Sequence, residues 1–185
     1  QYSTDGGTTW TIGTGSTFTL PEASFATGAI QVRQTDAAGN TTSQAASASA
    51  ANAAAITIDT TGPSVVIASS ATSLIANATA TLTFTLSEEV ANFSEGNVIV
   101  TGGSLSNFAG TGTSYTATFT PESGLAGAAT VSVATSAVTD VAGNSNSSAS
   151  NTLSITVDTQ APVVTSIMAS NTSLLVDQTS LLNIT

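Results

Sequence analysis

The chain has 185 residues, with Lys+Arg 1, Asp+Glu 11 and no His, for a formal net charge of -10. Hydrophobic residues make up 41% and charged residues 6%, so a packed core can form and charge-driven disorder is not expected. The absence of His, Cys and Lys excludes Ser–His–Asp and Cys–His centres, Cys/His zinc sites, lysine Schiff bases and a Lys-bearing phosphate loop. Arg33 alone cannot neutralise a nucleic-acid backbone, and no apolar run approaches a membrane span, so neither nucleic acid nor membrane insertion is expected.

In chain order, the first feature is Ser3-Thr4-Asp5-Gly6-Gly7-Thr8-Thr9-Trp10, an S-x-D-x-G-x-T-W box. Asp-Gly-Gly supplies a positive-φ turn, and the Asp carboxylate can bond that turn's own backbone. The box reads as a structural hairpin with Trp10 packed against it. A sialidase would need several boxes and an arginine cluster, and here there is one box and one arginine. Arg33 lies on a strand, Ile30 to Arg33, and reads as an exposed partner for some nearby acid. The Ala/Ser-rich run from Gln44 to Ala55 has no amphipathic face and reads as a loop entering a strand at 56–59.

Residues 63–160 carry strong period-2 alternation. Leu82, Phe84 and Leu86 alternate with Thr81, Thr83 and Thr85. Tyr115, Ala117 and Phe119 alternate with threonines, and Leu153, Ile155 and Val157 with Ser154 and Thr156. The apolar set is expected to face a core and the Thr/Ser set water. Strands are predicted near 64–68, at 80–87, near 90–93, at 97–101, 114–120, 129–135 and 151–158. Gly102, Gly103, Gly110, Gly112, Gly124, Gly127 and Gly143 are expected at or near turns. Seven or so short strands with turn signals every 8–12 residues indicate an all-β antiparallel sandwich of the immunoglobulin kind, here without a disulfide.

Internal repetition frames these strands. ITIDTTGP at 56–63 is echoed by ITVDTQAP at 155–162, and DAAGN at 36–40 by DVAGN at 140–144. Ser70, Thr72, Ser73, Leu74, Thr79, Leu82 and Thr85 are matched by the same residue types one hundred positions later, from Ser170 to Thr185. The period gives one whole domain at 63–160, the C-terminal part of another at 1–62 and the first strands of a third at 161–185. The tandem arrangement leaves two alternatives for the end pieces: a crop from a longer array, or strands completed by a neighbouring chain.

DTTGPSV, SEEV…F…GNVIVTGGSLSNF, SYTATFTP and TDVAGN together resemble bacterial Ig-like (BIg) domains. YSTDGGTTW, IQVRQTDAAGN and ITIDTTGP are similar to a second subtype of such domains. The resemblance implies a secreted, extracellular stalk module of a cell-surface adhesin or biofilm protein, often stiffened by calcium, with neighbouring Ig-like repeats as partners.

Topology adds a candidate metal site. The last strand of one sandwich delivers Asp59 to the top of the next, where Glu88 and Glu89 follow the second strand and Asp140 and Asn144 occupy a loop. Hard oxygen ligands on flexible loops suit Ca²⁺. Glu88 fits the family's Ser-Glu-x-Val position better than Glu89. Asp36 (with Asn40) and Asp158 repeat parts of the pattern, and their sites would be incomplete without further strands. The bland alternative is solvated turn formers. Asp177 reads as solvated, and Glu22, Glu95 and Glu122 are dispersed, with no pair suited to glycoside hydrolysis. No catalytic residue is expected. A carbohydrate- or surface-binding module and a self-assembling filament subunit remain as alternative functions, with a surface glycan as a possible partner of other parts of the protein.

Overall fold

The computed structural model describes residues 1–13, 17–45 and 55–185. The chain divides into two compact units, one of Gln1–Gly62 with Val141–Asn144, the other of Pro63–Asp140 with Ser145–Thr185.

The first unit holds β1 (Tyr2–Ser3), β2 (Ala23–Phe25), β3 (Gln31–Thr35), β4 (Thr41–Ala45) and β5 (Ile56–Ile58). β3 lies between β1 and β4, antiparallel to both, and β2 pairs with β5. Gln44 and Ala45 belong to β4 rather than to a loop, and 46–54 lie outside the described residues. The Asp-box closes as a hairpin-like turn: the Ser3 hydroxyl donates to Asp5 Oδ1 at 2.7 Å and accepts the Gly7 N–H at 2.9 Å. Trp10 Nε1 donates to the Gly7 carbonyl at 2.9 Å. Arg33 is half-buried and lies 4.1 Å from the Trp10 ring centroid, so its neighbour is an indole and not the acid expected.

The second unit starts with β6 (Val65–Ser69), β7 (Ser73–Ile75), β8 (Ala80–Leu86) and β9 (Val90–Asn92), followed by a 3₁₀ turn at Glu95–Asn97. It continues through β10 (Val98–Thr101), β11 (Gly103–Thr111), β12 (Ser114–Pro121), β13 (Ala126–Val133), β14 (Thr139–Asp140) and β15 (Leu153–Asp158), and ends with β16 (Ile167–Ala169) and β17 (Leu182–Ile184). One sheet runs β10-β13-β15-β7 and the other β11-β12-β8-β6. All these pairings are antiparallel except β15·β7. The two sheets make an immunoglobulin-like sandwich without disulfides.

The alternation in the sequence is what closes this sandwich. Val65, Ile67, Ala80, Leu82, Phe84, Leu86, Ala117 and Phe119 are buried from one sheet, and Ala129, Val131, Val133, Ile155 and Val157 from the other. The Thr and Ser residues between them point away from the core, where β-branched side chains suit a strand surface. Phe84, Phe93 and Tyr115 stack edge to face, with centroids 5.4 and 5.1 Å apart along the chain of contacts.

Three strands of the second unit were not legible in the sequence: β7, β11 and β14, the last of which holds Asp140, expected in a loop. β7 is a three-residue parallel edge with only Leu74 buried. β11 contains Gly103 and Gly110, expected as turn residues, yet both are strand positions against β12. A Cβ at Gly103 would stand 2.5 Å from the Phe119 ring, and one at Gly110 2.4 Å from the Ser114 carbonyl oxygen. These glycines serve close packing between strands, not chain reversal. Strand 90–93 was expected in the sandwich, but β9 pairs only with β14, in a small two-stranded sheet beside the loops.

Phe84 is fully buried and touches both Phe93 and Phe108. Phe84→Ala is expected to lower the stability of the second unit by about 3–5 kcal/mol, read as a shift in the urea unfolding midpoint.

Candidate functional site

In the second unit, the chain leaves β8 through Ser87, whose hydroxyl accepts the Ser64 N–H at 2.9 Å and whose own N–H reaches the Ser64 carbonyl at 3.1 Å. Glu88 follows at once and is half-buried, Glu89 is exposed and Val90 is buried at the start of β9. The Val90 position pairs with Asp140 of β14, and the ladder is irregular between Thr139 and Asp140. Such bulges re-aim a side chain. Here Asp140 is only 2% exposed. Ligand oxygens of Glu88 and Asp140 lie within 4.8 Å of each other.

Three asparagines fix the loops that carry this pair. Asn92 Oδ1 accepts the Thr139 N–H at 2.8 Å, tying β9 to β14. Asn97 Nδ2 donates to the Ala137 carbonyl at 2.8 Å. Asn146 is 1% exposed and spends its whole amide on the backbone. Its Oδ1 accepts the Val138 N–H at 2.9 Å, and its Nδ2 donates to the carbonyls of Ala134 and Ser148 at 2.7 and 2.8 Å. Sequence reasoning missed all three. Asn146 sits in a Ser/Asn-rich run in which nothing separates a buried amide from a solvated one.

In the first unit, Asp59 is half-buried, its Oδ1 accepts the Thr61 N–H at 3.1 Å, and its carbonyl accepts Asn144 Nδ2 at 3.1 Å. Glu22, read as a dispersed acid, has a defined role. Its Oε2 accepts both the Thr61 and the Thr60 hydroxyls, at 2.7 and 2.9 Å, and these bonds hold its carboxyl below the usual range. The signal for it was present: Pro-Glu recurs at 21–22 and 121–122. In the second copy the Glu122 carbonyl accepts the Thr159 hydroxyl at 2.7 Å.

The remaining predicted ligands sit in local turns. Asp36 Oδ1 accepts the backbone N–H groups of Ala38 and Asn40, both at 2.9 Å, and its Oδ2 accepts Asn40 Nδ2 at 2.8 Å. The Asn40 side chain and then its backbone hold the Asp36 carboxyl below its usual range. Asp158 is exposed and accepts the Gln160 N–H at 3.2 Å, as Asp59 does from Thr61. Asp177 is exposed in a positive-φ turn. The aromatic rings that would form a sugar platform are engaged. Tyr2 stacks on Phe18 with centroids 4.3 Å apart, and Trp10 lies under Arg33.

Residues 59–157, more than half of the chain, match the family described as Bacterial Ig-like domain, and the chain belongs to that family. No curated protein and no solved structure gives a significant match. The family is one of non-catalytic modules that typically occur in surface proteins. Among the described residues, no helix is long and apolar enough to cross a membrane.

Two outcomes follow from these networks. Asn146→Ala leaves buried backbone groups at Val138 and Ala134 without side-chain partners, and is expected to cost the second unit about 1–3 kcal/mol in denaturant unfolding. The Asp5 carboxyl is lowered from 3.8 to about 2, chiefly by the Thr9 hydroxyl and backbone N–H and then by Ser3. Its contribution to the hairpin is therefore complete above the unfolded value near 3.8 and is lost as pH falls through about 2. An NMR titration should find the Asp5 carboxyl still ionised at pH 3, and Asp5→Asn should remove that acid transition.

Proposed function

We propose that this chain is a structural stalk or extender segment of a secreted bacterial adhesin or extracellular fibre, stiffened by Ca²⁺ where one Ig-like domain hands over to the next. In this reading residues 1–62, 63–160 and 161–185 belong to three successive domains. The observation that carries the calcium part is the Glu88–Asp140 pair. Two carboxylates stand within 4.8 Å, one of them almost fully buried, in a unit whose residues 63–185 include no Lys, Arg or His. Like charges this close are costly unless a cation compensates them, and no basic side chain of that unit can do so. The donors are all hard oxygens on loops, the chemistry that Ca²⁺ prefers. Asp59 and Asn144 complete the proposed ligand set, on the topological ground that the linker enters beside these loops. Glu89, Asp36 and Asp158 are weaker members: one is exposed, one closes its own turn, and one is exposed at the end of β15. When bound, calcium supplies charge compensation and cross-linking of loops.

Calcium at ten- to a hundredfold its dissociation constant would add roughly 1.4–2.7 kcal/mol to a state that alone binds it. For a domain of this size that is a rise in melting temperature of about 6 °C or more. Thermal unfolding in calcium and in chelator should show this difference in the unmutated chain and lose most of it in Glu88→Gln and in Asp140→Asn. Equal melting of the unmutated chain under both conditions refutes the calcium site. Loss in Asp140→Asn but not in Asp59→Ala would confine the site to the second unit.

A further inference from the structure

The polypeptide enters the sandwich at β6 and leaves it at β15, and the segments around these two points lie side by side. β7 pairs with β15 in a parallel ladder, Ser73 beside Thr156, Leu74 beside Val157 and Ile75 beside Asp158. The Thr156 N–H donates to the Thr72 carbonyl at 2.9 Å. Before this ladder begins, β6 belongs to the opposite sheet, where it pairs with β8. A side chain bridges the gap. Asn151 Oδ1 accepts the Ile67 N–H at 2.8 Å, and Asn151 Nδ2 donates to the Ile67 carbonyl at 2.9 Å. Asn151 and Ile67 are 84 apart in sequence, as are Thr156 and Thr72, so the amide extends the parallel register with the two bonds a strand would make. The residue recurs in the sequence: Asn52 holds in ANAAAITID, 51–59, the place of Asn151 in SNTLSITVD, 150–158.

Residues 67–75 and 151–158 therefore run in one direction, joined by Asn151 at one end and by β7 at the other. Tension applied on both sides of this domain draws the entering segment one way and the leaving segment the other. Parallel segments drawn apart in this way slide along one another. Hydrogen bonds between strands run across the strand direction. The Asn151 pair, the Thr156 bond and the β7·β15 ladder are thus loaded together, whereas a hairpin opened from its free ends breaks its bonds in turn. Leu74, only 5% exposed, anchors the same segment in the core. Entry and exit are also latched. Ser64 is held by its two bonds to Ser87. The Thr159 N–H donates to the Leu125 carbonyl at 2.8 Å, and its hydroxyl donates to the Glu122 carbonyl at 2.7 Å and accepts the Leu125 N–H at 2.9 Å. These latches resist peeling, so the load passes to the parallel segments.

We infer that the second unit is a force-bearing module in which Asn151 staples the entering segment to the leaving one. The inference adds resistance to tension to the stalk reading and draws on no bound calcium.

The test holds the whole chain by its two ends at constant force, in chelator. Unfolding of 63–160 lengthens the tether by roughly 330 Å, the reach of that stretch when extended, which identifies the event whatever the rest of the chain does. The unmutated unit should give this extension as one discrete step. Asn151→Ala removes both bonds from an exposed position and should raise the rate of that step about tenfold at the same force. Asn151→Asp keeps the acceptor and loses the donor, and should give a smaller rise. Asn97→Ala removes a bond to the Ala137 carbonyl that does not join the two segments, and should leave the rate unchanged. Gradual extension without a step, an unchanged rate in Asn151→Ala, or an equal rise in Asn97→Ala would each overturn the inference. The calcium melting experiment reads Glu88 and Asp140 instead, so either result there leaves this one standing or falling by itself.

Discussion

Contact between two apolar sheet faces is the constraint on which the second unit depends. Leu82, Phe84 and Phe119 from one sheet meet Val131, Val133 and Ile155 from the other, all fully buried. No disulfide crosses this gap, and residues 63–185 hold no basic side chain that could form an ion pair. Sheet packing of this kind fixes the ends of strands more firmly than it fixes loops. The loops must therefore be tied down by other means, and here the means are short polar side chains: Ser87 onto Ser64, Asn92 onto Thr139, Asn97 onto Ala137, and Asn146 onto Val138, Ala134 and Ser148. Each bond is modest alone, but leaving its buried partner unmade is costly.

The exposed edges follow from the same economy of charge. Sheet edges are usually blunted by Lys or Pro, and this sequence has no Lys and only four Pro. β11, the long edge strand, is instead interrupted by a bulge between Ser106 and Ala109, with Asn107 at positive φ. β7 is short, and β10 covers four residues. These are geometric defences, and they leave a Thr/Ser surface that stays polar without charge.

How far the sequence could be read depended on whether a residue's role is expressed in alternation. β8, β12 and β15 were legible because a buried strand face imposes period 2, and a one-residue error would turn Phe84 and Ile155 outward. β11 was not legible, because its Gly103 and Gly110 report close approach to Phe119 and Ser114, which only the folded neighbours reveal. Strand 90–93 was legible as a strand but not as part of a separate two-stranded sheet, since Val90-Ala91-Asn92 is too short to show which sheet it joins. In the candidate site, topology and the Ser-Glu-x-Val resemblance pointed to Glu88 and Asp140 as candidates, and the structure brings their carboxylates within 4.8 Å. The burial of Asp140, beside an irregular Thr139–Asp140 pairing, was not foreseeable from the sequence.

The acids of this chain fall into two physical kinds. Asp5, Glu22 and Asp36 are each solvated by the protein's own hydroxyl and amide donors: Thr9 and Ser3, Thr61 and Thr60, Asn40 and Ala38. Their carboxyls are correspondingly held below the usual range. Such acids close turns and anchor a linker, and they need nothing from outside. Glu88 and Asp140 are of another kind, because each stands close to a second carboxylate, and one of them is buried. Hydroxyl and amide donors can solvate a single negative charge, but they do not remove repulsion between two. Residues 63–185 contain no Lys, Arg or His to offset that repulsion, and the calcium proposed above would offset it.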